Sequence, residues 1–165
     1  MQGAYFHRRG DWARWPRSGQ GGAFRQVGET KVAVFTVVNA YGTVVDRAGR
    51  VVRCGAGPTE DCGQVSELLA RTGGGPDPPA GATQNTTITL VVTNQRLAFA
   101  DLERLAIQVH TSMGRAIQPF ATSQDGDLLY AATTDDVDNP DVSAFDLGVL
   151  ASEVAWDAVL ASVPD

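Results

Sequence analysis

Blocks of different hydrophobic period follow one another along this chain. Val32-Ala33-Val34-Phe35-Thr36-Val37-Val38 is β-branched, almost wholly apolar and bounded by polar residues, which predicts a buried strand. Asn39-Ala40-Tyr41-Gly42 follows as its end or turn. Val44-Val45 and Val51-Val52, on either side of Asp46-Arg47-Ala48-Gly49-Arg50, predict a short hairpin. Val65, Leu68 and Leu69 give the stretch from Gln64 to Arg71 helical spacing. A second β-rich run spans Thr87 to Thr93. Leu102, Leu105, Ala106, Val109, Met113, Ala116 and Ile117 then recur at helical spacing, and Pro119 closes that helix. Leu128 to Ala132 predicts another strand, and the acidic loop from Asp135 to Asp141 leads into a last helix striped by Leu147, Leu150, Val154 and Ala158. The second half therefore runs strand, helix, strand, helix, and sheets with helices packed on them are expected.

Two stretches have no period. The first, to about Arg25, mixes Arg, Trp and Gly, and its Arg17-Ser18-Gly19-Gln20-Gly21-Gly22 run predicts a loop whose backbone passes close to something. The second, from Thr72 to about Gln84, is too rich in Gly and Pro for helix or ladder and predicts an exposed linker. With 165 residues the chain fits a single domain, 1–165, which that linker divides into parts 1–85 and 86–165.

Charge sharpens the division. The chain carries a net −6, which weighs against nucleic acid as a partner because phosphate contacts need a basic surface. Residues 1–85 hold 10 basic and 7 acidic groups (+3), whereas residues 86–165 hold 3 and 12 (−9). Lys31 is the only lysine, so lysine chemistry has one candidate. No apolar run approaches the ~20 residues of a membrane helix, and the first residues lack a secretory stretch, so no membrane and a cytoplasmic location are expected. In that compartment Cys54 and Cys62 are expected to be free thiols, and with His7 and His110 far away in sequence no metal site is expected.

One arrangement has a sharp chemical reading. Asn85-Thr86-Thr87 opens the second β-rich run just after the linker. A threonine hydroxyl is a weak nucleophile until a base sits beside it, and its own α-amine can serve once the preceding peptide bond is broken. That amine has a pKa of about 7.7–8.0, so it can accept the hydroxyl proton near neutrality. Asn-Thr-Thr is also a glycosylation sequon, which would require secretion, and a polar pair at a strand start is common.

Further motifs agree with the chemical reading. The run Asn85 to Asn94 resembles the processing site of the DmpA-type aminopeptidases and nylon-oligomer hydrolases, which are self-cleaving N-terminal-nucleophile hydrolases related in fold to ornithine acetyltransferases. Gly114-Arg115-Ala116-Ile117-Gln118-Pro119 is similar to that family's Ala-Arg-Ala-Ile-Arg-Pro, and Asp125-Gly126-Asp127 resembles its Phe-Asp-Gly-Asp element. Val37 to Gly42 with Val44-Val45-Asp46 is similar to its Val-Asn-Ala-x-Gly-x-Val-x-Asp. The likeness runs in consistent order over most of residues 17–160.

This resemblance implies an α+β fold, the αββα sandwich of the DmpA/ornithine acetyltransferase type, incomplete at its N-terminus because Met1 falls inside the family pattern. It implies a self-processing amidohydrolase or aminopeptidase acting on a small peptide or amide without a cofactor. Thr86 would be the nucleophile, Asn85 the residue whose carbonyl it first attacks, and Asn39 the oxyanion donor. Asp125 and Asp127 would hold the hydroxyl and amine of Thr86, and Arg17 and Tyr41 would contact substrate. Where the family has a lysine, this chain has Arg17, which keeps the charge but cannot exchange protons. His110, near an apolar stripe, is expected to be packed rather than catalytic. A shortened sheet would expose apolar surface, so a homo-oligomer or a complementing chain is expected. The alternative is a non-processing member serving as a binding or scaffolding subunit.

Overall fold

A computed structural model of the chain describes residues 3, 17–53, 62–72 and 85–163. Most of the linker and Cys54 therefore lie outside the described residues. In chain order the elements are β1 (Gln20–Val27), β2 (Thr30–Asn39), β3 (Thr43–Val44), α1 (Val65–Thr72), β4 (Thr86–Gln95), α2 (Phe99–Ser112), β5 (Ile117–Gln118), β6 (Leu128–Val137) and α3 (Ala144–Ala161). A four-stranded sheet has the order β1-β2-β4-β6, with β1–β2 and β2–β4 antiparallel and β4–β6 parallel. The parallel pair is joined through α2, as a crossover requires. β3 and β5 pair apart from this sheet.

Both long helices lie on one face of the sheet. Their apolar stripes supply Leu105 and Val109 from α2 and Leu147, Ala151, Val154, Ala155 and Ala158 from α3, which meet Val32, Val34 and Val91 in the main core. Leu147, Val154, Val32, Val34 and Val91 are wholly buried, each worth about 1.5–3 kcal/mol by transfer. A reciprocal capping box between Ser143 and Asp146 starts α3. Small residues along that helix let its backbone approach the sheet. At Gly21, a Cβ would run into the Ala158 carbonyl oxygen and the Ser162 nitrogen. The close approach expected of the glycine run is real, but Gly21 and Gly22 belong to β1 rather than to a loop.

The opposite face is uncovered among the described residues. β2 alternates strictly, so Phe35 and Val37 stand 55% and 49% exposed while Val34, Thr36 and Val38 are buried. Phe24, Ile88, Leu90, Leu128 and Tyr130 are also exposed. The apolar run of β2 thus carries the composition of a strand covered on both sides, with one side covered here. The described residues amount to one helix-and-sheet half of a sandwich.

Three other expectations are corrected and one, the short hairpin, is met. The second helix ends at Ser112 and passes through a 3-10 turn, Met113–Arg115, into β5, so Ala116 and Ile117 are not helical. Ile117 is instead fully buried in a second cluster with Val38, Val44 and Met113. β6 runs on through Asp135 and Asp136 to Val137, into residues expected as loop, and Asp135 has φ 60° where the β4–β6 register shifts. The expected hairpin does form: Val45 bridges Val51 and the Val52 N–H donates to the Val44 carbonyl at 3.0 Å, while Val44 also pairs with Ile117. Finally, Cys62 is buried and disulfide-bonded rather than free. The Val51 N–H donates to the Gly63 carbonyl at 2.9 Å and Arg50 bridges Gln64, which carries Cys62 back to the hairpin.

Ion pairs join the two parts of the chain. Arg25 pairs with Asp157 at 2.8 Å, and Arg47 pairs with both Glu153 and Asp157. Arg47 and Arg115 stack over the Trp156 ring at 4.9 and 5.0 Å, while the indole N–H donates to the Val45 carbonyl. These groups are half-exposed, so each pair is worth at most about 1 kcal/mol. Among the described residues no helix is long and apolar enough to cross a membrane.

Replacing Gly21 by Ala is expected to lower stability by about 1–3 kcal/mol, because helix backbone cannot yield to the new methyl group. Gly19→Ala, at a position with open space, is expected to leave the urea midpoint unchanged. Equal midpoints for the two variants would refute this account of the β1–α3 contact.

Candidate active site

The sheet register assembles the candidate residues. Asn39, the last residue of β2, is the cross-strand partner of Thr86, the first of β4. Side-chain alternation puts both on the open face, in line with Phe35 and Val37 on β2 and with Ile88 and Leu90 on β4. Ser18 donates to the Val38 carbonyl at 2.7 Å, which ties the exposed Arg17 to the same end of the sheet.

On its other edge β4 faces the Asp125-Gly126-Asp127 segment. Asn85 and Asp125 form an isolated parallel bridge. Its offset of 40 residues (125 − 85) equals that of the first ladder pair, Ile88 and Leu128 (128 − 88), so the β4–β6 register continues through the gap. Within the gap the Asp127 carboxylate substitutes for ladder carbonyls. It accepts the Thr87 N–H at 2.6 Å through Oδ1 and the Ala121 N–H at 3.0 Å through Oδ2. Asp125 accepts the Tyr41 N–H at 2.9 Å through Oδ1, and through Oδ2 the Thr122 hydroxyl at 2.6 Å and the Thr122 N–H at 3.3 Å.

The Asn85–Thr86 bond sits between these clamps. Thr86 Oγ1 donates to the Asn85 carbonyl oxygen at 2.6 Å, and the Gly126 N–H donates to the same oxygen at 2.9 Å. Asn85 is 6% exposed, so that carbonyl is largely withdrawn from water.

Burial pushes the Asp127 carboxyl above its ordinary value of 3.8, and the neighbouring Asp125 charge pushes it further. The Thr87 and Ala121 N–H groups pull the other way without cancelling the rise. The folded state therefore holds a proton here more tightly than the unfolded chain does. Ionising Asp127 costs the fold stability, and that cost fades as pH falls from the raised pKa toward the ordinary one.

The structure thus brings Asn39, Asn85, Thr86, Asp125 and Asp127 to one end of the sheet. Neither carboxylate is hydrogen-bonded to Thr86 itself in the continuous chain; they hold the main chain on either side of it. Tyr41 is a neighbour through its backbone N–H, and its side chain is buried. His110 packs its ring against Phe120 at 5.1 Å, as expected of a packed histidine. Sequence reasoning missed Gly126, Thr122 and Ser18, since main-chain donors and short hydroxyls leave no pattern beyond that of a turn. No group of three or more metal-ligating side chains is placed to hold an ion among the described residues.

A family model, that of peptidase family S58, matches residues 9–163. The chain is 42% identical over 168 residues to a 6-aminohexanoate-oligomer endohydrolase of Paenarthrobacter ureafaciens, covering 91% of this chain and 45% of that protein. It is 33% identical to an uncharacterized aminopeptidase of Mycobacterium bovis, over 70% of this chain and 35% of that one. The chain thus spans about half, or less, of the length of these curated relatives. Among solved structures, a Pyrococcus horikoshii protein superposes with a TM-score of 0.56 at 16% identity, covering 88% of this chain and 39% of the other. A β-aminopeptidase of Burkholderia sp. does so with 0.54 at 18%, covering 88% and 41%. Both likenesses identify the α+β fold expected from the sequence.

A carbon-13 titration of the side-chain carboxyls is expected to place Asp127 above the ordinary aspartate range. Asp125→Asn removes the like charge and is expected to move that titration to lower pH. An Asp127 curve indifferent to Asp125→Asn would rule out the charge coupling.

Proposed function

The chain belongs to peptidase family S58, and on that premise we propose that it is a self-processing hydrolase of amide or peptide bonds with Thr86 as nucleophile. One observation carries this reading: the Thr86 hydroxyl lies against the carbonyl of the peptide bond that precedes it, 2.6 Å from its oxygen. Few threonines have cause to be held there with two carboxylates fixing the backbone around them.

The steps follow from the groups at hand. Thr86 Oγ1 adds to the Asn85 carbonyl carbon and the carbon–nitrogen bond breaks. The hydroxyl proton passes to the departing Thr86 nitrogen, leaving an ester between Asn85 and the Thr86 oxygen. Water cleaves this ester, releasing the Asn85 carboxylate and a Thr86 with a free α-amine. That amine then serves as the base for the same hydroxyl in substrate hydrolysis. Asp127 and Asp125, already anchored beside the new terminus, orient its ammonium. The Asn39 side chain, across the strand pair from Thr86, donates to the substrate oxyanion.

The substrate class is a linear amide with an accessible amino end, such as a short ω-amino acid oligomer. Likeness to the 6-aminohexanoate-oligomer endohydrolases over 91% of this chain supports it. Thr86 and Asn39 open onto the sheet face left uncovered among the described residues, so the substrate pocket is completed by the polypeptide that covers that face, a second copy or a complementing chain. Arg17 lies at the same sheet end, suited to a carboxylate or carbonyl of the substrate.

Intact-mass spectrometry under denaturing conditions is expected to find fragments 1–85 and 86–165 in the wild type and only the whole chain for Thr86→Ala. A wild type that stays whole on prolonged incubation would sink the proposal. In cleaved protein, Asn39→Ala is expected to lower amide turnover by about 10²–10³-fold, the usual cost of an oxyanion donor. Unchanged turnover would withdraw that role.

A further inference from the structure

We propose that the main-chain N–H of Gly126 is the oxyanion donor for scission of the Asn85–Thr86 bond. This rests on the self-cleavage reading above and assigns a group that reading leaves out. The reacting carbonyl oxygen has two donors, the Thr86 hydroxyl at 2.6 Å and the Gly126 N–H at 2.9 Å. When the hydroxyl oxygen turns to bond the carbonyl carbon, its own hydrogen bond to that oxygen is given up. The Gly126 N–H stays in place as negative charge gathers on the oxygen, and a donor already in position costs no reorganisation at that moment.

The peptide plane carrying this N–H is fixed from both sides. Asp125 precedes it, held by the Tyr41 and Thr122 N–H groups and the Thr122 hydroxyl. Asp127 follows it, held by the Thr87 and Ala121 N–H groups. Both carboxylates thereby act on the reaction through the main chain between them, before any free amine exists. In-register continuation of the β4–β6 pairing aims the N–H at Asn85. The low exposure of Asn85 keeps water from competing for its oxygen.

Glycine at this position serves the same end. A Cβ on residue 126 would lie 3.2 Å from Thr86 Oγ1, closer than ordinary contact, and would crowd the atom that has to swing onto the carbonyl carbon. The backbone of Gly126 has no positive φ to explain the choice, so space for the hydroxyl is the remaining reason.

The test deletes only this donor. Cell-free translation of the full chain with glycolic acid in place of Gly126 exchanges the N–H for an ester oxygen. The same exchange at Gly49, whose N–H donates to the Asp46 carbonyl at 3.0 Å in an exposed turn, controls for the loss of a backbone hydrogen bond. Intact-mass time courses report the 86–165 fragment and separate it from hydrolysis at the introduced ester, which would yield 126–165. The ester at 126 is expected to slow scission by about 10²–10³-fold while both chains keep a cooperative melt. The ester at 49 is expected to cleave at the wild-type rate. Scission within about threefold of wild type for the ester at 126 would overturn the assignment. A chain that loses its melt with the ester at 126 but keeps it with the ester at 49 would also overturn it, by giving the N–H a structural role. A different outcome marks failure of the underlying reading: wild type yields no fragment beginning at Thr86, or Thr86→Ala still yields it.

Discussion

A break in one ladder sets the geometry of this protein's site. β4 and β6 pair in parallel from Ile88 and Leu128 onward, and the pairing resumes at Asn85 and Asp125 in the same register. Between them a carboxylate supplies acceptors in place of backbone carbonyls. That substitution keeps the N–H of Thr87 satisfied and sets a carboxyl group under the threonine pair. Burial there and the neighbouring Asp125 raise the proton affinity of Asp127, so the arrangement is electrostatically costly as well as geometrically useful. The rest of the molecule holds this break still: α3 and α2 brace the sheet from one face, and the Arg47–Trp156–Arg115 stack pins the loop after β3 to α3.

Elements with a strong period were legible from the sequence. β2, β4 and the helix stripes fall where the pattern puts them, because burial against one face leaves a periodic trace. β1 left none. It is an edge strand whose Gly21 is selected by a helix backbone far away in sequence, and composition alone makes such a residue look like a turn. The overrun of the second helix has a related cause. Ala116 and Ile117 are buried, but in the second cluster beside β3, so apolar spacing continued after the helix had stopped. Cysteine usage failed for another reason: compartment statistics say nothing about a hairpin that closes on itself at Val51 and Gly63.

Thr86 stood out in the sequence as a reactive residue type in an unusual place, and its company was legible only by family likeness. Asn39 is 47 positions away (86 − 39), and only the antiparallel register of β2 and β4 makes it a neighbour. Asp-Gly-Asp resembles a hairpin turn in sequence; in the fold it is the start of a parallel strand turned toward the bond before Thr86. Donors that belong to the main chain, such as the Gly126 N–H, have no signature in a sequence at all.

The strand order carries a last consequence. β2 comes from the first part of the chain and lies between β1, from the same part, and β4, from the second. A cut at residue 85 therefore divides the polypeptide without dividing the sheet, and each fragment keeps strands whose core partners are in the other. Before the cut, refolding is an intramolecular search at a rate independent of dilution. After such a cut two solutes would have to meet, so recovery from denaturation would become second-order and the cut molecule would persist by the slowness of its unfolding.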